Sequence, residues 1–427
     1  MAHPTEAEAG RAAFERWLEP FLDALGNKKR RMWAPLYVRG LILPGDRKSM
    51  DRIAERVAPE DTEQINHFVA ASRWELDPVE QILWGTADGM VGGDDAVLVI
   101  DDTALLKKGR QSVGVAHQYC GQIGTKANCQ ALVSLTLARN EVPVPLSLHL
   151  YMPESWTSDR ERMRAAAVPE DVVFKTKWQI ALEQVARVQQ AGVRFGVVLA
   201  DGGYGVCAEF RQGLSSMGLT WSVGILKTQM MYSTSVQLGE PSRGRPGRPG
   251  KHPIPSEKPI SAEQAIASLG RKGMRMIAWR LGTKGMMHCE FAAMRVRVAD
   301  GLEVSKGLHL PGDEVWLVCE RRSPEDLRYY LSNQPRRSSL KTLATAIKGR
   351  WVCEQGHQQM KEELGLDHFE GRSWHGLHHH ALLTMIAFAY LQHLRLRRKK
   401  KRLRSVHRHS RHCPRFEGGS WECLRTC

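Results

Sequence analysis

Two short uncharged runs, Val97-Leu98-Val99-Ile100 and Val197-Val198-Leu199-Ala200, each lead directly into aspartate: Asp101-Asp102 after the first and Asp201 after the second. Runs of this kind read as strands buried on both faces, and such strands require helices packed over the sheet. The helices are there in the pattern. Lys177–Gln190 carries an apolar stripe (Ile180, Ala181, Val185, Val188) just before the second run, and a helix at Cys207–Met217 with a strand at Thr220–Leu226 follows it. This alternation restricts the chain to an α/β layer architecture. Ala96–Ile100, Val113–Tyr119, Ala131–Leu137 and Val144–Leu150 are further strands with short connections, which predicts an antiparallel meander feeding the helix at 177.

The flanking segments differ in character. Residues 1–90 read as a helical N-terminal domain: Arg11–Leu25, with a break or kink at Pro20, then Ser49–Val57, Asp61–Ala71 and Pro78–Ala87. The pair from Ser49 to Phe68 has the spacing of a helix-turn-helix that reads DNA, and plain helix packing explains the same pattern. The core of the α/β unit spans 91–227. Residues 228–338 form a β-rich insertion with strands at Met274–Arg280, Glu290–Val298, Asp313–Cys319 and Leu327–Leu331, and with a Pro/Gly/Arg loop at 242–260 whose composition cannot build a core. Helices resume over 339–394.

Charge and cysteine usage narrow the setting. Of 427 residues 61 are Lys or Arg and 46 are Asp or Glu, a net charge of +15, which points to a polyanionic partner. The excess is uneven: residues 395–427 hold 12 Lys/Arg against 2 Asp/Glu, so +10 lies in a basic tail expected to be disordered and to bind phosphates without sequence preference. Truncation after Leu394 is expected to weaken that binding and keep the fold, and Ser405–Cys427, without apolar periodicity, reads as a degenerate or frame-shifted terminus. The longest uncharged apolar run, Ala381–Leu391, is too short to span a bilayer, the first residues lack a secretory pattern, and the nine cysteines form no Cys-x-x-Cys pair. A cytoplasmic protein with reduced thiols and no membrane partner is expected.

The third carboxylate of interest is Glu354. At about 100° per residue, Ile347, Arg350, Glu354 and Lys361 fall near 0°, 300°, 340° and 320°, one sixth of a helix circumference. Alone this is an ordinary salt-bridge ladder. Together with two strand-end aspartates it is a set of hard oxygen donors suited to Mg²⁺, which takes few protein ligands and leaves the rest to water and phosphate.

The stretches Asp101-Asp102-Thr103, Gln118-Tyr119-Cys120-Gly121, Val198-Leu199-Ala200-Asp201-Gly202-Gly203-Tyr204-Gly205 and Glu362-Glu363-Leu364-Gly365-Leu366-Asp367-His368-Phe369-Glu370-Gly371-Arg372 resemble the DDE transposases of bacterial insertion sequences, in the group named for insertion sequence 701. The resemblance implies an RNase H-like mixed sheet with flanking helices, and a β-rich insertion before the last catalytic helix. It implies a Tyr-x-x-Arg-x-x-x-Glu-x-x-x-x-x-x-Lys signature, here with Arg350, Glu354 and Lys361 in place and Ile347 where Tyr is expected. By the same resemblance Asp101, Asp201 and Glu354 hold two Mg²⁺ ions, with Mn²⁺ as a substitute, and Asp101 is preferred to Asp102 by the family's Asp-x-Thr pattern. Arg350 and Lys361 then contact phosphates of double-stranded DNA, the terminal inverted repeats of the element and its target, and a homodimer forms on the DNA in a nucleoid-associated setting. An RNase H-like nuclease without strand joining, or a DNA-binding remnant acting as repressor, are the alternatives.

Two further expectations concern aromatic residues and histidines. Trp279, Trp316, Tyr329 and Tyr330 are candidates to stack on a DNA base; Trp316, between Val315 and Leu317, reads rather as core, and Trp279 either stacks on DNA, if Met276 and Ala278 face the core and leave the odd-numbered face of its strand free, or is itself core. Adjacent His378, His379 and His380 point about 100° apart on a helix and cannot converge on one zinc ion, so a cluster beside DNA or a carboxylate is expected. His407, His409, His412, Cys413 and Cys423 lack compact zinc spacing.

Overall fold

The computed structural model describes residues 6–240, 252–282 and 285–410. Five helices come first: α1 (Glu6–Leu25), α2 (Lys28–Ile42), α3 (Met50–Val57), α4 (Thr62–Ala70) and α5 (Leu76–Val91). Four of them, α1, α3, α4 and α5, coincide with expected helices. In α3, Ile53, Ala54 and Val57 are buried while Asp51, Arg52, Glu55 and Arg56 stay outside, the pattern that sends one stripe of a helix into a core. Pro20 does not end α1, which continues to Leu25. Helix α2 is absent from the sequence reading because four basic residues at its start and Pro35 inside it hide the stripe of Trp33, Ala34, Tyr37, Val38 and Leu41.

The sheet begins with β1 (Gly93–Leu106), β2 (Ala116–Cys120), β3 (Thr125–Arg139) and β4 (Val142–Leu150). These strands are not a simple meander. β3 lies between β1 on one edge and β2 and β4 on the other, all antiparallel, so β1 and β2 do not pair. After α6 (Lys177–Gln190) comes β5 (Phe195–Ala200), parallel to β1, and after α7 (Ala208–Ser216) comes β6 (Trp221–Ile225), parallel to β5. The order β4-β3-β1-β5-β6, two parallel steps on one side and antiparallel ones on the other, is the mixed sheet of an RNase H-like fold.

The β-rich segment continues that sheet. β7 (Met230–Tyr232), β8 (Arg275–Gly282), β9 (Gly285–Val298), β10 (Glu314–Arg321) and β11 (Leu327–Ser332) join it through the antiparallel pairing of β11 with β6, and with the two-residue strand Ile260–Ser261 paired to β7 the sheet has 12 strands in all. Residues 242–251 of the expected Pro/Gly/Arg loop lie outside the described residues. The last helices are α8 (Leu340–Lys348), α9 (Trp351–Glu362) and α10 (Trp374–Ser410). The basic segment from residue 395, expected to be disordered, is helical through Ser410. It consists of Leu, Arg and Lys without Gly or Pro over 395–404, strong helix formers that extend α10 without interruption. The cysteine and histidine positions beyond 410 lie outside the described residues.

One core joins these parts. Ala381–Tyr390 of α10 is buried along its whole length, between β4 and the N-terminal helices. Here the three adjacent histidines take a role different from the expected one. His378 Nδ1 meets Trp374 O at 3.0 Å and its Nε2 meets Leu150 N at 3.4 Å; His380 Nδ1 meets Tyr37 Oη at 2.9 Å and its Nε2 meets Gly365 O at 3.1 Å. His379 lies between Val69 O and Trp74 O and stacks on the Trp74 ring at 3.8 Å. They are buried rivets between helices, because each ring finds backbone or phenolic partners inside the protein and none is left to face DNA. Among the described residues no helix is long and apolar enough to cross a membrane.

The face of β8 is also the reverse of the expected one. Met276 is 61% exposed and Ala278 is exposed, whereas Ile277 and Trp279 pack on Phe291, Val318 and Leu343 under α8. The Trp279 ring is covered by the Lys348 ammonium, 4.8 Å from its centroid, and meets Phe291 edge-on. β8 pairs with β9 at an edge of the sheet, and α8 covers the odd-numbered side, which strand periodicity alone does not tell apart from the even one. Trp279 is therefore no free stacking platform. Trp316 packs on the same cluster and donates to Pro335 O at 3.2 Å, Tyr329 is buried, and Tyr330 donates to Glu320.

Candidate active site

Asp101 does not end its strand. β1 runs on to Leu106, and the rim of the sheet is made by β5, which stops at Ala200 opposite Ile100. Asp201, the next residue, turns the chain, and its Oδ1 accepts from Gly203 N at 2.9 Å and Tyr204 N at 3.3 Å. The turn is pressed onto β6: a Cβ on Gly205 would lie 2.0 Å from Gly224 O, and one on Gly224 would lie 2.7 Å from Gly202 N. Two glycines facing each other thus set how deeply Asp201 sits. Gly205→Ala should cost about 1–3 kcal/mol, the usual range for overpacking, and should shift Asp201 with it. Urea unfolding of the variant measures the cost.

Neighbouring Asp101 and Asp102 point to opposite sides of β1 and meet different partners. Asp102 Oδ1 accepts from Tyr204 Oη at 2.5 Å and its Oδ2 pairs with Lys177 Nζ at 2.5 Å, so this carboxylate ties β1 to the Asp201 turn and to the start of α6. Asp101 faces α9. Its Oδ1 accepts from Asp102 N at 2.9 Å, and its Oδ2 from Arg350 Nη1 at 2.9 Å. Burial pushes the Asp101 carboxyl up to about 7; Arg350 opposes the rise and Asp201 adds to it.

Glu354 lies on α9 and is exposed, ion-paired with Arg350 Nη2. The helical face drawn from Ile347 to Lys361 is interrupted, since α8 ends at Lys348 and α9 begins at Trp351. Ile347 belongs to the hydrophobic cluster under α8. Past the break the spacing holds: Arg350, Glu354 and Lys361 line the same cavity as Asp101 and Asp201. That cavity has a volume of about 1010 Å³ and also takes in Lys177. The Lys361 ammonium reaches Gln122 Oε1 at 3.2 Å, and burial lowers its pKa.

Sequence reasoning missed Lys177, Tyr204 and His357. Lys177 follows the Thr176 cap of α6, and nothing in its neighbourhood marks it as reaching a strand 75 residues away. His357 is buried behind Asp101, 3.5 Å from Cys353 Sγ, and burial pulls it down to about 3. Tyr204 had a signal, its place three residues after Asp201.

The donor set can be tested against a divalent cation. Carboxylate oxygens from a strand, a strand end and a helix line one cavity, and the most buried of them, Asp101, needs a positive partner to stay ionised. Hard oxygen ligands around a charge deficit fit Mg²⁺ or Mn²⁺. The Cys353–His357 pair beside Asp101 does not point to acyl transfer, because burial pushes the thiol up to about 12 and so disfavours the thiolate that would attack.

Comparison with known proteins agrees with this chemistry. Over 187 residues the chain is 28% identical to a probable transposase for insertion sequence element IS701 from Microchaete diplosiphon, covering 44% of this chain and 46% of that protein. The chain thus spans about half the length of that curated relative. Among solved structures, the NurA nuclease from Sulfolobus solfataricus shares 11% identity over 68% of this chain and 83% of its own, with a TM-score of 0.24, too loose a superposition to relate the two folds. The family model described as DDE superfamily endonuclease matches residues 20–286, more than half of the chain and including both Asp101 and Asp201. By that match, and with the RNase H-like sheet that carries the two aspartates, the chain belongs to the DDE superfamily of endonucleases.

Proposed function

We propose that this protein is the transposase of an insertion sequence, cutting DNA at the terminal repeats of its own element and joining the ends to target DNA. The observation that carries the reading is the meeting of Asp101, Asp201 and Glu354 with Arg350, Lys177 and Lys361 in one cavity, on a chain of this superfamily. Three carboxylates would hold the cations, and Arg350 and Lys361 remain for the phosphates on either side of the scissile bond. A pair of Mg²⁺ ions held there supplies an activated oxygen nucleophile and stabilises the leaving oxygen.

The chain's own groups do the rest. Asp101 binds as carboxylate only when a cation offsets its burial. Asp102 acts through others: gripped by Lys177 and Tyr204, it holds β1 and the Asp201 turn at a fixed spacing. The DNA phosphates would lie at the cavity, within reach of Arg350 and Lys361. Helices α3 and α4 and a homodimer would present the repeats. The test is incubation of the full chain with Mg²⁺ and an end-labelled duplex carrying the element end. Nicked and strand-joined products are expected; nicking without joining would leave a nuclease, and no cleavage would leave a DNA-binding repressor.

The charge on α10 gives a separate prediction. Leu396 packs on the core and Arg395 approaches Glu141 O, so truncation after Leu394 would cut into packed helix, and the cut belongs after Arg398. That truncation should keep the melting temperature, weaken binding to random-sequence DNA and flatten its dependence on salt, because each lost phosphate contact removes about 0.9 from the log–log slope. Fluorescence anisotropy across a salt series reads it.

A further inference from the structure

Arg350 holds two of the three carboxylates at once. Nη1 donates to Asp101 Oδ2 at 2.9 Å and Nη2 donates to Glu354 Oε1, so the planar fork spans the gap between β1 and α9. A cation shared by Asp101 and Glu354 would have to lie in that same gap. The guanidinium is mostly covered, at 28% side-chain exposure, and has been drawn into the cavity rather than left at its mouth. Two positive species cannot share the space: the carboxylate oxygens that Arg350 engages are those a divalent ion needs, and the charges repel. Without any cation, Asp101, Asp201 and Glu354 would crowd one cavity with negative charge, and this arginine offsets part of it at Asp101 and Glu354.

We propose that Arg350 is an internal stand-in for the divalent ion, neutralising Asp101 and Glu354 in the resting protein and released when the ion is loaded. The inference rests on the proposed carboxylate site. Its chemistry supplies the destination of the released side chain. A guanidinium fork fits a phosphate bidentately as well as it fits carboxylates, so a DNA phosphate at the cavity can take Arg350 over without loss of hydrogen bonds. Metal loading and phosphate binding are then coupled through one side chain: the protein alone resists the ion, and the protein on DNA accepts it. Asp102 shows the contrast. Its partners, Lys177 and Tyr204, hold a carboxylate that is not a ligand in this reading, and they have no need to let go.

Mn²⁺ binding to the full chain without DNA, followed through the electron paramagnetic resonance signal of the free ion, tests the exchange. R350Q should bind Mn²⁺ about tenfold more tightly than the unsubstituted chain, a coupling of ordinary size. R350K, whose single ammonium cannot bridge both carboxylates, should also bind more tightly, and it serves if R350Q fails to fold. K361Q is the control for general electrostatics: Lys361 lines the same cavity but donates to Gln122, so its loss should change affinity by about threefold or less. No gain in either Arg350 variant, or an equal gain in K361Q, overturns the exchange. D201N separates this from the site itself. It should weaken Mn²⁺ binding in both the parent and R350Q backgrounds; unchanged binding in D201N would show that the carboxylate site is wrong, whatever Arg350 does.

Discussion

Asp201→Asn should lower Mg²⁺-dependent DNA cleavage by about a thousandfold, equivalent to about 4 kcal/mol of transition-state stabilisation, with the fold retained. The side-chain amide keeps an oxygen that can accept from Gly203 N and Tyr204 N, so the turn that Asp201 caps remains capped. What is lost is the charge, and with it a ligand. Glu354→Gln should behave alike. Its carboxylate is exposed, and the pair it forms with Arg350 is of the solvent-screened kind that adds little to stability. Asp102→Asn should differ from both: loss of its charge loosens Lys177 but leaves the three proposed ligands, so cleavage falls by far less. Rates on a labelled duplex, beside melting curves for each variant, distinguish a lost ligand from a lost fold. Equal rates for Asp201→Asn and the parent would sink the assignment.

Acid should unfold the protein well before its carboxylates are exhausted. His149 and His357 are pulled by burial to about 3, and His378, His379 and His380 to about 4, so all five are neutral in the folded state across the range where free histidine takes up its proton near 6.5. Between about pH 6.5 and 4 the unfolded chain therefore binds more protons than the folded one, and stability rises with pH through that window. Asp101 acts in the other sense. Its folded pKa of about 7 lies above the ordinary 3.8, so it stabilises the fold as pH drops from 7. The histidines outweigh it. Five depressed histidines face one raised carboxylate, so the net effect of lowering the pH from 6.5 is a loss of stability. Melting temperature followed from pH 7.5 to 5 should fall steeply; a flat profile would mean that the histidines are already protonated in the fold.

The sequence was most readable where local pattern and chemistry coincide. Uncharged runs bounded by aspartate located β1, β5 and both acidic positions, since a doubly buried strand tolerates a carboxylate only where its neighbour stops. The sequence could not say that the neighbour stopping would be β5 alone, with β1 running on beneath it. Helical spacing brought Arg350, Glu354 and Lys361 to one cavity although the helix breaks at Gly349-Arg350, because Arg350 caps α9 with helical backbone angles and the other two lie within it. Where a choice between two faces depended on tertiary neighbours, the reading failed. The odd face of β8 is covered by α8, a helix some 60 residues further on, and no period-2 pattern carries that information. The histidines failed for a related reason: Tyr37, Val69, Trp74 and Gly365, which supply their partners, are brought to them only by the packing of α10 among the N-terminal helices. Lys177 was invisible because an ion pair across 75 residues leaves no local trace, and Tyr204 was marked only by its place three residues after Asp201.

The central claim is that Asp101, Asp201 and Glu354, and not Asp102, hold the divalent cations that act on DNA. Crystals of the full chain with Mn²⁺ and a short duplex, with anomalous scattering recorded above the manganese edge, address it without reference to activity. Anomalous peaks are expected within about 2.0–2.6 Å of oxygens from Asp101, Asp201 and Glu354, the range of hard-cation coordination. Asp102 should still be bound to Lys177 and Tyr204, and Arg350 should have turned from the carboxylates to a phosphate. Manganese coordinated by Asp102, or found away from these three side chains, would contradict it.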